Sequence, residues 1–121
     1  MLREDTAIAY YSSLHPTDYH DLERFELRQM VSFGVWDVSL EVEMRPKNGS
    51  DNQRLILLFE GVRNLKYIPS TVGGLYFAFI QIVSIADRYW EDINYQVFES
   101  EQDTELSFIC REFHAKIISL L

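Results

Sequence analysis

The stretch from Trp36 to Arg45 alternates strictly between apolar and polar residues. It reads Trp-Asp-Val-Ser-Leu-Glu-Val-Glu-Met-Arg, so every second side chain is apolar. Successive side chains of a β-strand point to opposite faces of the sheet, whereas a helix would scatter these apolar residues around its circumference. The stretch therefore predicts a strand with one face against a core and one face in water. The rest of the chain has to provide that core.

The segments on either side of this stretch also have the sequence pattern of strands. Residues 25–33 alternate in the same way, and Gly34 follows, where tolerance of positive φ predicts a turn or bulge. Residues 46–52 contain Asn48-Gly49 between two apolar runs, which is typical of a hairpin turn. Residues 55–59 are apolar throughout, which predicts a central strand covered on both faces.

Further strands and one helix are predicted from the rest of the chain. Residues 76–87 are long enough for a helix, but their aromatic and β-branched side chains favour a strand. The alternation changes parity after Arg111, which a β-bulge would explain. The other predicted elements are a short helix at 6–14 with Thr6 as a candidate cap, a strand at 62–67 after a bulge at Glu60-Gly61, and a hairpin of strands 93–97 and 106–110.

Together these elements predict a mainly β protein, α+β at most. The length of 121 residues is typical of a single domain, so we expect one domain over residues 1–121. Consecutive strands joined by short turns form an antiparallel sheet, a sandwich or a partly open barrel. We expect six to eight strands with a short N-terminal helix, and the sequence leaves these three arrangements open.

The chain is acidic, with a formal net charge of -8. This charge argues against nucleic-acid binding, which needs clustered Lys and Arg, and against docking on an anionic membrane. It permits a cationic partner, because opposite charges accelerate encounter, although solubility alone would also explain it. The charged first residues and the lack of a long apolar run predict a cytoplasmic protein without a membrane span.

The sequence contains no motif of a common cofactor enzyme. Gly73-Gly74 lacks the flanking residues and the Lys of a phosphate-binding loop, and no GxSxG, HExxH or CxxC occurs. Cys110 is the single cysteine and lies in an apolar run, which favours a core residue over a nucleophile. We therefore predict neither an enzyme nor a cofactor.

Two histidines and two acids are candidate metal ligands. Imidazole and carboxylate groups are common ligands, and His20-Asp21 with Glu112 and His114 would supply them. Adjacent residues on a strand point to opposite faces, so His20 and Asp21 could act together only in a turn. A turn aspartate with two surface histidines is the favoured interpretation, and no metal site is predicted.

The first candidate partner-binding segment combines an arginine and two large aromatics with acids. Trp, Tyr and Arg dominate binding hot spots, and loops carry function more often than cores do. The alternative is that Tyr89 and Trp90 fold back over the end of the sheet. The residues of this segment are Arg88, Tyr89, Trp90, Glu91 and Asp92.

The second candidate surface is the polar face of the strand at 36–45. Asp37, Glu41 and Glu43 lie side by side there, whereas paired catalytic carboxylates face each other across a cleft. We therefore interpret them as a solvated acidic stripe that attracts a partner.

Three short sequences resemble a known group of proteins. Tyr19-His20-Asp21 precedes a pair of strands, Leu-Leu-Phe-Glu-Gly-Val-Arg-Asn-Leu follows at 57–65, and Leu-Ser-Phe-Ile-Cys-Arg-Glu-Phe stands at 106–113. In this order they resemble small, uncharacterised bacterial β-rich proteins, some of which are assigned as immunity proteins of polymorphic toxin systems. The resemblance covers most of the chain after residue 19. It implies a protein-binding role and brings no functional residues with it.

Two functions from different classes remain open. The first is a non-enzymatic protein-binding domain, such as an immunity-like inhibitor that blocks a cationic toxin through its acidic surface. The second is a small-ligand-binding β-barrel or sandwich, which requires an enclosed cavity. A homodimer is compatible with either, because an antiparallel sheet leaves edges that can pair.

Overall fold

The computed structural model describes residues 5–46, 52–69, 74–85, 93–101 and 104–120. The predicted Asn48-Gly49 turn lies outside these residues, and so does the candidate binding segment from Arg88 to Asp92.

The described residues form one α-helix, one short 3₁₀ helix and eight strands. These elements confirm a mainly β fold with a short N-terminal helix. The helix α1 spans Thr6–Ser13 and the 3₁₀ helix Pro16–Asp18; the strands are β1 Tyr19–Ser32, β2 Val35–Pro46, β3 Gln53–Glu60, β4 Arg63–Ile68, β5 Gln81–Ser84, β6 Tyr95–Glu101, β7 Thr104–Cys110 and β8 Glu112–Ser119.

The strands make two four-stranded antiparallel sheets that pack face to face. The first sheet has the order β1-β2-β3-β8 and the second the order β4-β7-β6-β5. Phe59 of the first sheet meets Phe108 of the second edge to face, with ring centroids 4.9 Å apart. Within the described residues the sheets do not close into a barrel. Of the three predicted arrangements, the structure is therefore a sandwich.

The core lies between the sheets and is built from alternate residues of each strand. Leu40, Val42 and Met44 of β2 are buried, as the alternation of this stretch predicts. β3 is an interior strand of its sheet, and Ile56 on its outer face is also buried. Its cross-strand neighbours on that face are Glu43 and Lys116, so charged side chains flank it there.

The chain crosses between the sheets at Arg111, where the change of parity predicts a bulge. β7 ends at Cys110 in the second sheet and β8 begins at Glu112 in the first. The bulge prediction is therefore wrong, because a change of sheet also reverses which side of the strand meets the core. The opposite crossing, from β3 to β4, occurs at Gly61, which has a φ of +67°.

Two smaller predictions also differ from the structure. The cap of α1 is Asp5 and not Thr6, since the Asp5 carboxylate accepts a hydrogen bond from the Ile8 amide at 3.0 Å. Within the predicted strand at 76–87, the described residues 76–85 contribute only Gln81–Ser84 as a strand of the second sheet. Tyr76 instead forms a single bridge with Asp21 at the start of β1.

Candidate partner-binding surface

The outer face of the first sheet carries a continuous set of charged side chains. Residues opposite each other in an antiparallel pair share a face, so the register places Glu26 beside Glu41 and Arg24 beside Glu43. Asp37 lies on the same face, opposite Met30. The predicted acidic residues of β2 are thus brought together on one surface.

One arginine joins three carboxylates at the centre of this face. Arg24 Nη2 lies 2.8 Å from Glu41 Oε2 and 3.4 Å from Glu43 Oε1, and Arg24 Nη1 lies 3.3 Å from Glu26 Oε2. Arg28 Nε donates to Glu26 at 3.0 Å, and this hydrogen bond lowers the pKa of the Glu26 carboxyl. Arg24 of the neighbouring strand therefore holds Glu41 and Glu43 of the acidic stripe in place.

A second arginine organises the end of the face where the chain crosses between the sheets. Arg111 Nη2 lies 3.3 Å from Asp37 Oδ2 and 3.7 Å from Glu60 Oε2. The hydrogen bond to Asp37 raises the pKa of the Arg111 guanidinium. Asp37 and Glu60 belong to different strands, so Arg111 ties the position of the β2 carboxylate to that of β3.

The candidate metal ligands separate into two places. The ligand atoms of Glu60, Glu112 and His114 lie within 4.8 Å of one another, but this group is partly or fully exposed. The Arg111 guanidinium lies 3.7 Å from Glu60 and 4.0 Å from Glu112, so these carboxylates already face a cation. His20 stacks on Tyr76 at the start of β1, with ring centroids 4.8 Å apart.

The charged face contains a groove of about 330 Å³. Four carboxylates, one arginine and two apolar side chains contribute to its walls, so it offers both charge and apolar area. The lining residues are Glu26, Arg28, Met30, Asp37, Ser39, Glu41, Leu58 and Glu60.

The described residues inside the sandwich line a much smaller pocket. The pocket between Tyr11, Tyr19 and Phe77 has a volume of only about 10 Å³. That is about the space of one water-sized probe. A ligand-binding protein of this fold would need an enclosed cavity, and this observation counts against that alternative.

The β1–β2 hairpin extends past the rest of its sheet. β2 pairs with β3 only from Ser39 to Met44, whereas β1 and β2 stay paired up to Ser32 and Val35. Residues 30–37 therefore form a two-stranded projection, here called the arm. Its turn is Phe33-Gly34, with φ values of 51° and 76°, which is the pattern of a type I′ turn.

The arm exposes apolar side chains at its tip and on both faces. Phe33 is fully exposed, and Trp36 is 65% exposed although the alternation predicts it to face the core. Val31 and Trp36 lie on the core side of the ribbon, and Met30 lies on the outer side next to the groove. Sequence reasoning missed this surface. The signal that could have found it is the absence of charge from Met30 to Trp36.

Comparison with models of protein families gives a match that covers most of the chain. A family model described as immunity protein PIM8 matches residues 4–116. The chain belongs to this immunity protein family. The match confirms the resemblance drawn from the three short sequences, and it spans every strand except the end of β8.

Membership of the immunity protein family supports an inhibitor-like role based on binding a protein, and it points away from an enzyme. A search of curated proteins gave no match, and neither did a search of solved structures. No helix in the described residues has the length and apolar character needed to cross a membrane.

Proposed function

We propose that this immunity protein inhibits a cationic toxin protein by binding it through the outer face of the first sheet. The family match over residues 4–116 carries the inhibitory role. The groove, the acidic residues beside it and the adjoining apolar arm support the choice of surface. The role is non-enzymatic: the protein covers part of the toxin and performs no reaction on it.

The carboxylates of this face share their arginines, so they can still bind cations of a partner. Glu41 and Glu43 share Arg24, and Asp37 and Glu60 share Arg111. Each guanidinium is thus divided between carboxylates, whose remaining oxygen lone pairs can accept from Lys or Arg of a toxin. The net charge of -8 would also accelerate the encounter with a cationic protein.

Fixed carboxylates and apolar side chains in and beside the groove together favour a protein over a small molecule. Binding interfaces combine an apolar centre with polar groups around it. Met30 and Leu58 provide apolar area inside the groove, and Phe33 stands at the tip of the adjoining arm. The predicted residues Arg88, Tyr89, Trp90, Glu91 and Asp92 stay a proposal for additional contacts.

The proposal predicts that a toxin-like protein is encoded beside this gene, and binding to that protein is the test. We expect the wild-type chain to bind that protein in titration calorimetry and to protect cells that express it. The Glu41→Lys variant should bind at least about tenfold more weakly, because it removes a carboxylate and adds a cation beside Arg24.

The matched control is Glu105→Lys, which makes the same charge change on the second sheet. Glu105 lies 3.4 Å from Lys66, and both side chains are exposed. We expect this variant to bind like the wild type. Failure of the wild-type chain to bind or protect would refute the inhibitory role. Normal binding by Glu41→Lys would retain that role and reject the proposed face.

A further inference from the structure

β1 is an edge strand of the first sheet, and no described residue covers most of its outer edge. Among the described residues, residues 75–77 cover only its beginning: Leu22 donates its amide to the Leu75 carbonyl, and the His20 carbonyl accepts from the Phe77 amide, both at 3.0 Å. From Glu23 to Ser32, no strand of the described residues pairs with this edge. Open edges present unpaired backbone groups to any further strand that fits.

The charges on this edge alternate in sign instead of repelling a second copy. Natural edge strands are commonly protected by lysines, prolines or inward-pointing charges. β1 contains neither Lys nor Pro, and its outer-face charges run Arg24, Glu26, Arg28. An antiparallel copy reverses this order, so opposite charges can face each other across the new pair.

The order of charges selects one antiparallel register. Pairing centred on Leu27 places Glu26 opposite Arg28 of the second copy, and this contact occurs twice by symmetry. Centring on Glu26 opposes Glu26 to itself, and centring on Arg28 opposes Arg28 to itself, which is unfavourable. Centring on Phe25 also pairs Glu26 with Arg24 of the second copy. The Leu22 amide is already bonded to Leu75, so that register pairs only residues 23–27, whereas centring on Leu27 pairs residues 23–31.

The same register covers apolar area that one copy leaves open. Leu27 and Val31 lie on the core side of β1, and each is about half exposed. The neighbouring Phe25 is covered by Tyr67 of the second sheet, with ring centroids 4.5 Å apart. Pairing centred on Leu27 puts Phe25 of one copy opposite residue 29 of the other. The Phe25–Tyr67 stack then lies beside Leu27 and Val31 of the partner.

We propose that a second copy of this chain pairs with β1 in antiparallel orientation, centred on Leu27, to form one eight-stranded sheet across the dimer. This inference does not depend on the proposed inhibition of a toxin. The two outer faces would lie side by side in the joined sheet. The tips of the two arms, each with Phe33, would point in opposite directions.

The test uses two charge reversals, Glu26→Arg and Arg28→Glu, measured by sedimentation velocity over a concentration series. We expect the wild type to be a dimer. Each variant alone should dissociate with a constant at least about tenfold higher, because like charges then face each other twice. An equal mixture of the two variants should recover the dimer. In the mixed pair, one copy carries arginine at both positions 26 and 28 and the other carries glutamate at both, so each contact again joins opposite charges.

The experiment with the mixed variants distinguishes an effect on pairing between two copies from an effect on contacts within one chain. The intrachain bond between Glu26 and Arg28 is lost in both variants, so it cannot account for recovery on mixing. A monomeric wild type at all concentrations would overturn the proposal. So would dimeric single variants, or a mixture that stays monomeric.

Cross-linking tests the register without relying on charge. A Leu27→Cys variant should form an intermolecular disulfide under mild oxidation, because directly opposed residues have Cβ atoms about 5 Å apart. In the control Gln29→Cys, the two thiols would be offset by four residues, about 14 Å, and should not cross-link. The native Cys110 is fully buried and should not interfere. Equal cross-linking of the two variants would overturn this register.

Discussion

A β-carbon placed on Gly61 would lie 2.8 Å from the Cβ atom of Arg111. These residues mark the two places where the chain crosses between the sheets, outward at Gly61 and back at Arg111. The Arg111 amide also donates to the Glu60 carbonyl at 2.9 Å. This close approach places Arg111 at the edge of the first sheet, where its guanidinium reaches Asp37 on the outer face of that sheet.

Replacing Gly61 by alanine should destabilise the protein more than replacing Gly34. Both have positive φ, 67° and 76°, so each change adds about 1–2 kcal/mol of backbone strain. A β-carbon on Gly34 would meet no atom within 4 Å, whereas one on Gly61 would press on Arg111 near its backbone. We expect Gly61→Ala to lose about 1–3 kcal/mol beyond Gly34→Ala in urea unfolding. Equal losses would contradict the close packing.

Two residues on the same side of β2 should respond very differently to truncation. Leu40 is fully buried, whereas Trp36 is 65% exposed on the arm. We expect Leu40→Ala to lower the free energy of unfolding by about 2–5 kcal/mol, and Trp36→Ala to change it by less than about 1 kcal/mol. Chemical denaturation of both variants checks this. A large loss in Trp36→Ala would show that the arm packs on the sandwich.

Phe33→Asn should stabilise the isolated protein. Phe33 has a φ of 51° at the first central position of the turn, where asparagine is favoured and a bulky residue is strained. Its side chain is fully exposed, so little packing is lost. We expect a gain of about 0.5–1 kcal/mol in thermal or urea unfolding. The control Tyr10→Asn, an exposed helical position, should give no gain.

Stability should fall at alkaline pH through the buried thiol of Cys110. Burial raises its pKa from 9.0 to about 12. Above about pH 9 the unfolded chain loses the thiol proton while the folded chain keeps it. Unfolding is then favoured by up to about 1.4 kcal/mol per pH unit until the folded pKa is reached.

A comparison between pH 7 and pH 10 measures this effect. The Cys110→Ala variant should be less stable at both values, because it leaves a cavity. Its stability should nevertheless fall less between them than that of the wild type. Parallel losses in the two proteins would contradict the contribution of Cys110, because groups such as the buried Tyr11 titrate in both.

The sequence predicts which side of a strand faces the core better than it predicts which part of the strand is buried. Leu40 and Val42 face the core because alternation is a local property of the strand. Trp36 has the same parity but lies on the arm, beyond the length of β2 that pairs with β3. Which part of a strand is covered depends on elements far away in the sequence, and a local alternation pattern contains no information about those elements.

Dependence on distant parts of the chain also explains why the bulge prediction at Arg111 is wrong and why the arginine partners of the acidic residues were not predicted. A change of parity follows from a bulge or from a crossing between sheets, and only the pairing of β8 with β3 distinguishes them. Local spacing is enough to place Asp37 and Glu41 on one face. Their arginine partners lie elsewhere in the chain, Arg24 in β1 and Arg111 at the crossing between β7 and β8, and only the pairing of the strands brings them together. The binding role of these acids stays a prediction.

The position of β8 has a consequence for the speed of folding. β8 completes the first sheet by pairing with β3, so Glu60 meets Glu112 only after the whole second sheet has been traversed. Contacts between residues this far apart form slowly, because a long loop must close first. Until then the β3 edge, with Leu57 and Phe59, is available to other chains. Under the proposed function, a chain that assembles in this order benefits from synthesis ahead of the toxin that it binds.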